Sequence, residues 1–236
     1  MLHSIREMRG DTIVARDGEV GAVNDVYFDD ERWGVRYIAV EAGGGLTPRQ
    51  VLIPPSSIDR ERSSERAICV ALTRDEVKRC PEPRSRREVS RSYEMALARY
   101  YGFPYYWVGP ELWGPAPRPV GAEEAREAGR STALEMQEHA EARDDEAQQS
   151  HLCSGEDVVG YRLEASDGAV GHVEDVLFDD ETWSVAHLVV DTREWLPGRK
   201  VLVSPGLIER VDPVHRTVHV RASKREVEQA PEAIGR

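Results

Sequence analysis

The stretch DGEVGAVNDVYFDDERW, residues 17–33, decides the fold, because the chain carries it twice. About 150 positions later it returns as DGAVGHVEDVLFDDETW, residues 167–183. The match continues outward without a gap. Arg49, Val51, Leu52, Pro55 and Ile58 recur as Arg199, Val201, Leu202, Pro205 and Ile208, and Val77 and Pro81 recur as Val227 and Pro231. Identity between residues 10–82 and their counterparts is about 40%, more than shared composition produces.

What both copies keep is mostly fold-bearing: Gly18, Gly21, Phe28 and Trp33 in the first, Gly168, Gly171, Phe178 and Trp183 in the second. Asp17-Gly18 and Asp167-Gly168 are hairpin-turn signals. Residues 20–28 and 35–40 read as successive strands joined by the acidic turn Asp29-Asp30-Glu31-Arg32. The apolar run 185–190 reads as a strand covered on both faces. Further short strands are expected near 50–54 and 66–72 and near 200–204 and 216–222. Each copy then closes on a brief helix, opened by the capping boxes Thr73-x-x-Glu76 and Ser223-x-x-Glu226 and stopped by proline. Short strands at regular spacing make a small barrel, with Trp33 and Trp183 expected in its core.

The order DG-x-VG-x-V-x-DV-x-FDDE, then a strand, then Leu-x(4)-Val-Leu, then proline before isoleucine, resembles the PRC-barrel family. The resemblance covers both repeats, roughly two thirds of the chain. It implies a mainly β protein of two small six-stranded barrels that contact other macromolecules and share no catalytic residues. The family includes the cytoplasmic barrel of the photosynthetic reaction-centre H subunit and the C-terminal barrel of ribosome-maturation factors. The H subunit's N-terminal transmembrane helix has no counterpart here, nor does the ribosomal branch's separate N-terminal domain, and here the barrel is duplicated. The expected organisation is a first repeat over 1–83, a connecting segment over 84–150 and a second repeat over 151–236.

Composition narrows the class of partner. A net charge of −12 opposes nucleic-acid binding, which draws on clustered Lys and Arg. The cysteines Cys69, Cys80 and Cys153 form no CxxC pair, so a reducing, cytoplasmic setting is expected. No stretch approaches the roughly 18 consecutive apolar residues of a membrane helix, so membrane contact would be peripheral.

The connecting segment has its own chemistry. Ser85 to Glu88 forms a capping box, and Val89, Tyr93, Ala96, Leu97 and Tyr100 recur at helical spacing, predicting a helix over 86–101 that Gly102 and Pro104 end. An aromatic stretch follows over 100–113, and half of the chain's aromatic residues lie between Tyr93 and Trp113. Two readings compete for it. In one the rings pack on a barrel face; in the other Tyr101, Phe103, Tyr105, Tyr106, Trp107 and Trp113 are an exposed anchor for a partner. A third, base stacking beside Arg86, Arg87, Arg91 and Arg99, is opposed by the acidic field. Residues 122–149 are Ala/Glu/Arg-rich and acidic, as in a solvated helix or a disordered segment.

Catalytic motifs are missing: there is no G-x-S-x-G elbow, no P-loop and no G-x-G-x-x-G. Gly43-Gly44-Gly45 precedes no helix and reads as a connection. Asp29, Asp30 and Glu31, repeated as Asp179, Asp180 and Glu181, are the candidates for a calcium or magnesium site, weighed against solvated turns. His215 and His219 are spaced as zinc ligands would be on a helix but fall on a turn and a strand. The expected function is therefore a non-catalytic binding or assembly module without a cofactor. It acts through protein–protein contacts, at the cytoplasmic membrane surface or in a photosynthetic-type or stress-related complex, with self-association as a further expectation. A ribosome-assembly factor and a metal-binding module are the alternatives.

Overall fold

The computed structural model describes residues 1–43, 49–64, 66–82, 89–131, 150–192 and 199–233. Outside them lie the capping box at 85–88 with Arg86 and Arg87, Gly44 and Gly45, and the acidic stretch from 132 to 149. The first repeat runs β1 (Leu2–Ser4), α1 (Ile5–Met8), β2 (Thr12–Ala15), β3 (Gly18–Asp29), β4 (Val35–Ala42), β5 (Arg49–Ile53), β6 (Ala67–Cys69) and α2 (Arg74–Arg79). Helices α3 (Arg91–Tyr101) and α4 (Ala122–Ser131) follow. The second repeat runs β7 (Leu152–Ser154), α5 (Gly155–Val158), β8 (Arg162–Ala165), β9 (Gly168–Asp179), β10 (Val185–Asp191), β11 (Lys200–Val203), β12 (Ile208–Asp212), β13 (Thr217–Val220) and α6 (Lys224–Glu228).

The first sheet has the order β5-β4-β3-β2-β6 and the second β11-β10-β9-β8-β13-β12, each with one more strand off the path. Neighbours are antiparallel except β2 with β6 and β8 with β13. The fold is mainly β, as the repeat implies. The long strands β3 and β9 bend through register shifts, which lets a single strand serve two parts of a rolled sheet. Gly21 and Gly171 sit where that bend brings two backbones together. A Cβ at Gly21 would lie 1.8 Å from the Glu41 carbonyl oxygen, and one at Gly171 2.0 Å from that of Asp191. That close approach is why both copies keep Val-Gly. The turn glycines Gly18 and Gly168 have φ of 134° and 126°, and the aspartate before each accepts the first amide of the closing helix, Arg74 or Lys224.

The off-path strands are exchanged between the repeats. β1 pairs with β9 of the second repeat, Leu2 opposite Asp179 and Ser4 opposite Leu177. β7 pairs with β3 of the first, Leu152 opposite Asp29 and Ser154 opposite Tyr27. The contacts are reciprocal, as across a two-fold axis. Ser4 Oγ donates to Asp175, and Ser154 Oγ donates to Asp25 at 2.5 Å. The same two hydroxyls cap the short helices that follow, accepting from Glu7 N and Asp157 N. These helices and both sheets share one continuous apolar core.

The repeated tryptophans differ from a plain core role. Trp33 and Trp183 have φ of 59° and 55°, a left-handed conformation rare for a bulky residue. Trp33 stacks on Phe28, and Trp183 lies tilted against Phe178. Their carbonyls reach across the junction: Val35 N donates to Trp183 O and Val185 N to Trp33 O, both at 2.7 Å. Trp183 is buried, whereas Trp33 is half-buried. The motif expected to fill a barrel also clamps one barrel to the other.

The apolar run at 185–190 is less covered than expected, because Ala186 and His187 are only half-buried. The strand covered on both faces is β4, where every residue from Val35 to Val40 is buried. Arg36 broke the apolar pattern there and concealed it.

Candidate functional site

The connecting segment lies on the outer face of β4, and a chain of buried polar groups holds it there. Arg36 is 1% exposed. Its Nε donates to Asp29 Oδ2 at 2.6 Å and its Nη1 to the Leu112 carbonyl at 2.7 Å. The guanidinium carbon lies 3.9 Å from the centre of the Tyr106 ring and 4.8 Å from that of Trp113. These are cation–π contacts within a desolvated setting, where they are strongest. Gly34 makes room, since a Cβ there would fall 2.6 Å from the Arg36 guanidinium carbon. The second repeat has Ser184 and Ala186 at the two positions, so this arrangement belongs to one barrel alone.

From Tyr106 the network continues into α3. Its hydroxyl donates to Glu94 Oε1 at 2.6 Å; Ser150 Oγ donates to Oε2 at 3.0 Å, and Arg91 pairs with Oε2 at 3.1 Å. Burial pushes the Glu94 carboxyl up from the ordinary range, and Arg91, Tyr106 and Ser150 pull against it. Helix α3 starts later than the spacing predicts: Ser90 caps it by accepting from Tyr93 N. It ends at Gly102, with φ of 71°, where the sequence places the stop. Tyr101 Oη donates to the Leu52 carbonyl at 2.9 Å and Tyr93 Oη to that of Pro81 at 2.9 Å, so α3 is also tied to β5 and to the end of the first repeat.

Tyr101, Phe103, Tyr105, Tyr106 and Trp113 are buried, and Trp107 is half-buried, stacked on Tyr105 with Arg91 over its face. This placement corrects the expectation of an exposed anchor at the first five. The polar tips of Tyr101, Tyr106 and Trp113 are consumed inside the protein: Trp113 Nε1, for one, donates to the Thr182 carbonyl at 2.9 Å in the second repeat. The signal that could have shown it was Arg36, a cation within the otherwise apolar run 35–40.

The acidic turns are organised as turn caps and ion pairs. Asp29 Oδ1 accepts from Arg32 N and Oδ2 from Gly34 N, holding the turn that places Trp33. Asp179 does the same through Glu181 N, Thr182 N and the Thr182 hydroxyl, which hold its carboxyl down at about 2. Asp30 and Glu31 meet His151, Asp180 meets His3, and Glu181 pairs with Arg118. Among the described residues no group of three or more His, Cys, Asp or Glu is placed to hold a metal ion. His215 pairs with Asp212, whereas His219 faces Arg210 and Glu164, so the two do not converge. Burial pushes the Cys80 thiol up to about 11 and the Cys153 thiol higher still, the wrong direction for a nucleophile.

The PRC-barrel domain model matches residues 2–77 and again residues 154–227, more than half of the chain. The chain belongs to the PRC-barrel family. PRC barrels are a non-catalytic family of interaction and assembly modules. A search of curated proteins finds no match. Among the described residues no helix is long and apolar enough to cross a membrane.

Proposed function

We propose that this tandem PRC-barrel protein is a non-catalytic assembly module whose first barrel is sealed by its own chain and whose second barrel receives a protein partner. The organisation behind this is a repeat over 1–83, a connecting segment over 84–150 and a repeat over 151–236. One observation carries the reading: equivalent faces of the two barrels are treated differently. Arg36, Tyr37 and Leu52 are buried under the connecting segment, whereas Ala186, His187 and Leu202 are half-buried. The exchanged strands fix the relation of the two barrels, so a partner would meet a preformed surface and lose little to ordering. The acidic charge favours a protein partner over nucleic acid, and any contact with a cytoplasmic membrane surface would be peripheral.

Capture from native cells with the wild-type chain and with the double variant His187→Glu/Leu202→Glu tests this. The expected result is a protein partner retained in stoichiometric yield by the wild type and lost by the variant, with melting of the variant unchanged. Equal capture by both, or none by the wild type, contradicts the reading.

A further inference from the structure

A cavity of about 210 Å³ lies between β4, the aromatic stretch and α4. Its walls include Tyr101, Phe103, Tyr106, Trp107 and Trp113, with Ala98 and Ala125 as small residues that leave the space open. Arg36 is also on the wall. That side chain is 1% exposed, and its Nη2 has no hydrogen-bond partner among the described residues. An orphaned donor in a desolvated setting is costly, and native interiors seldom keep one. The turn at Asp29 does not require Arg36, because the equivalent turn at Asp179 is capped with Ala186 in that place. A buried arginine has thus been added to one barrel, with Gly34 clearing its path, and one of its donors is left over beside an aromatic cavity.

We propose that this cavity is a binding site for a neutral one- or two-ring aromatic carbonyl compound, whose oxygen accepts from Arg36 Nη2 while its ring lies among Tyr106, Trp107 and Trp113. Size sets the ring count: an apolar cavity of roughly 150 Å³ holds benzene, so this one suits a slightly larger molecule. Neutrality follows from charge. Asp29 already balances the guanidinium at 2.6 Å, and Glu124 is on the cavity wall, so a carboxylate would bring an unpaired charge into an apolar space. The site is separate from the partner face proposed for the second barrel, and either can fail without the other.

The test titrates the full-length protein with matched probes: acetophenone, ethylbenzene and benzoate, and the two-ring set 2-acetonaphthone, 2-ethylnaphthalene and 2-naphthoate. The readout is the indole N–H resonances of Trp107 and Trp113. The expected result is saturable shifts with a ketone of at least one set. That ketone should bind about tenfold or more tightly than its hydrocarbon, which leaves the donor unpaired. Filling the cavity with Ala125→Leu, or with Ala116→Leu at the half-buried wall, should abolish the shifts in a protein that still melts cooperatively. The site is overturned by silence of both ketones, by shifts that survive both filled variants, by a hydrocarbon as tight as its ketone, or by a carboxylate tighter than either.

Discussion

Arg36→Met is expected to lower stability by about 3–5 kcal/mol, the range for removing one partner of a buried ion pair. Asp29 is 2% exposed and would lose its counterion. The Leu112 carbonyl would lose its donor, and the Tyr106 and Trp113 rings would lose the cation they face. Methionine fills similar volume, so the loss measures electrostatics and hydrogen bonding more than packing. Adding Asp29→Asn should recover part of it, because the amide oxygen still accepts from the turn and no charge is stranded. Urea unfolding of the wild type, both single variants and the double variant gives the coupling directly. A single variant within about 1 kcal/mol of wild type would show that the network does not hold the connecting segment to the barrel.

Ser154→Ala is expected to cost about 2–4 kcal/mol, large for one hydroxyl. The side chain caps α5 by accepting from Asp157 N, and it donates to Asp25, a buried carboxylate in the other repeat. Burial raises the Asp25 carboxyl above its ordinary value, and the Ser154 hydroxyl is the first of the groups opposing that rise. A carboxyl with a raised folded-state pKa favours the folded state below its unfolded value and forfeits that advantage as pH climbs through the folded value. Removing Ser154 raises the folded value further. The deficit should therefore be greatest at pH above the raised folded value and shrink as pH falls below it, where the Asp25 carboxyl is protonated in the folded wild type and variant alike. Ser4→Ala should follow the same trend with a smaller loss, since its acceptor Asp175 is less buried. Melting curves at several pH values check both, and an equal deficit at every pH would remove Asp25 from the explanation.

The sequence made the repeated unit legible because turn chemistry is local. Asp-Gly and the two capping boxes state their geometry within a few residues, and all of them are found in place. The strand exchange could not be read in this way. β1 and β7 are three residues each, too short for a periodic signal, and Ser4 and Ser154 are equivalent by repeat. Either strand fits either barrel by local chemistry, so only the tertiary path of the chain decides. The aromatic stretch was visible, but its burial depended on Arg36, whose role exists only once Tyr106, Trp113 and Leu112 surround it. In the acidic turns the same residue types serve a metal or a backbone amide, and amide directions are not written in composition.

The central claim is that each barrel is completed by the other repeat's strand. Cross-strand nuclear Overhauser contacts in the labelled full-length chain, shown by light scattering to be a monomer, test it most directly. The predicted contacts are His3 with Phe178 and Cys153 with Phe28, the residues facing each other in the two exchanged pairings. Contacts of His3 with Phe28 and of Cys153 with Phe178 would contradict it, because each barrel would then be closed by its own strand.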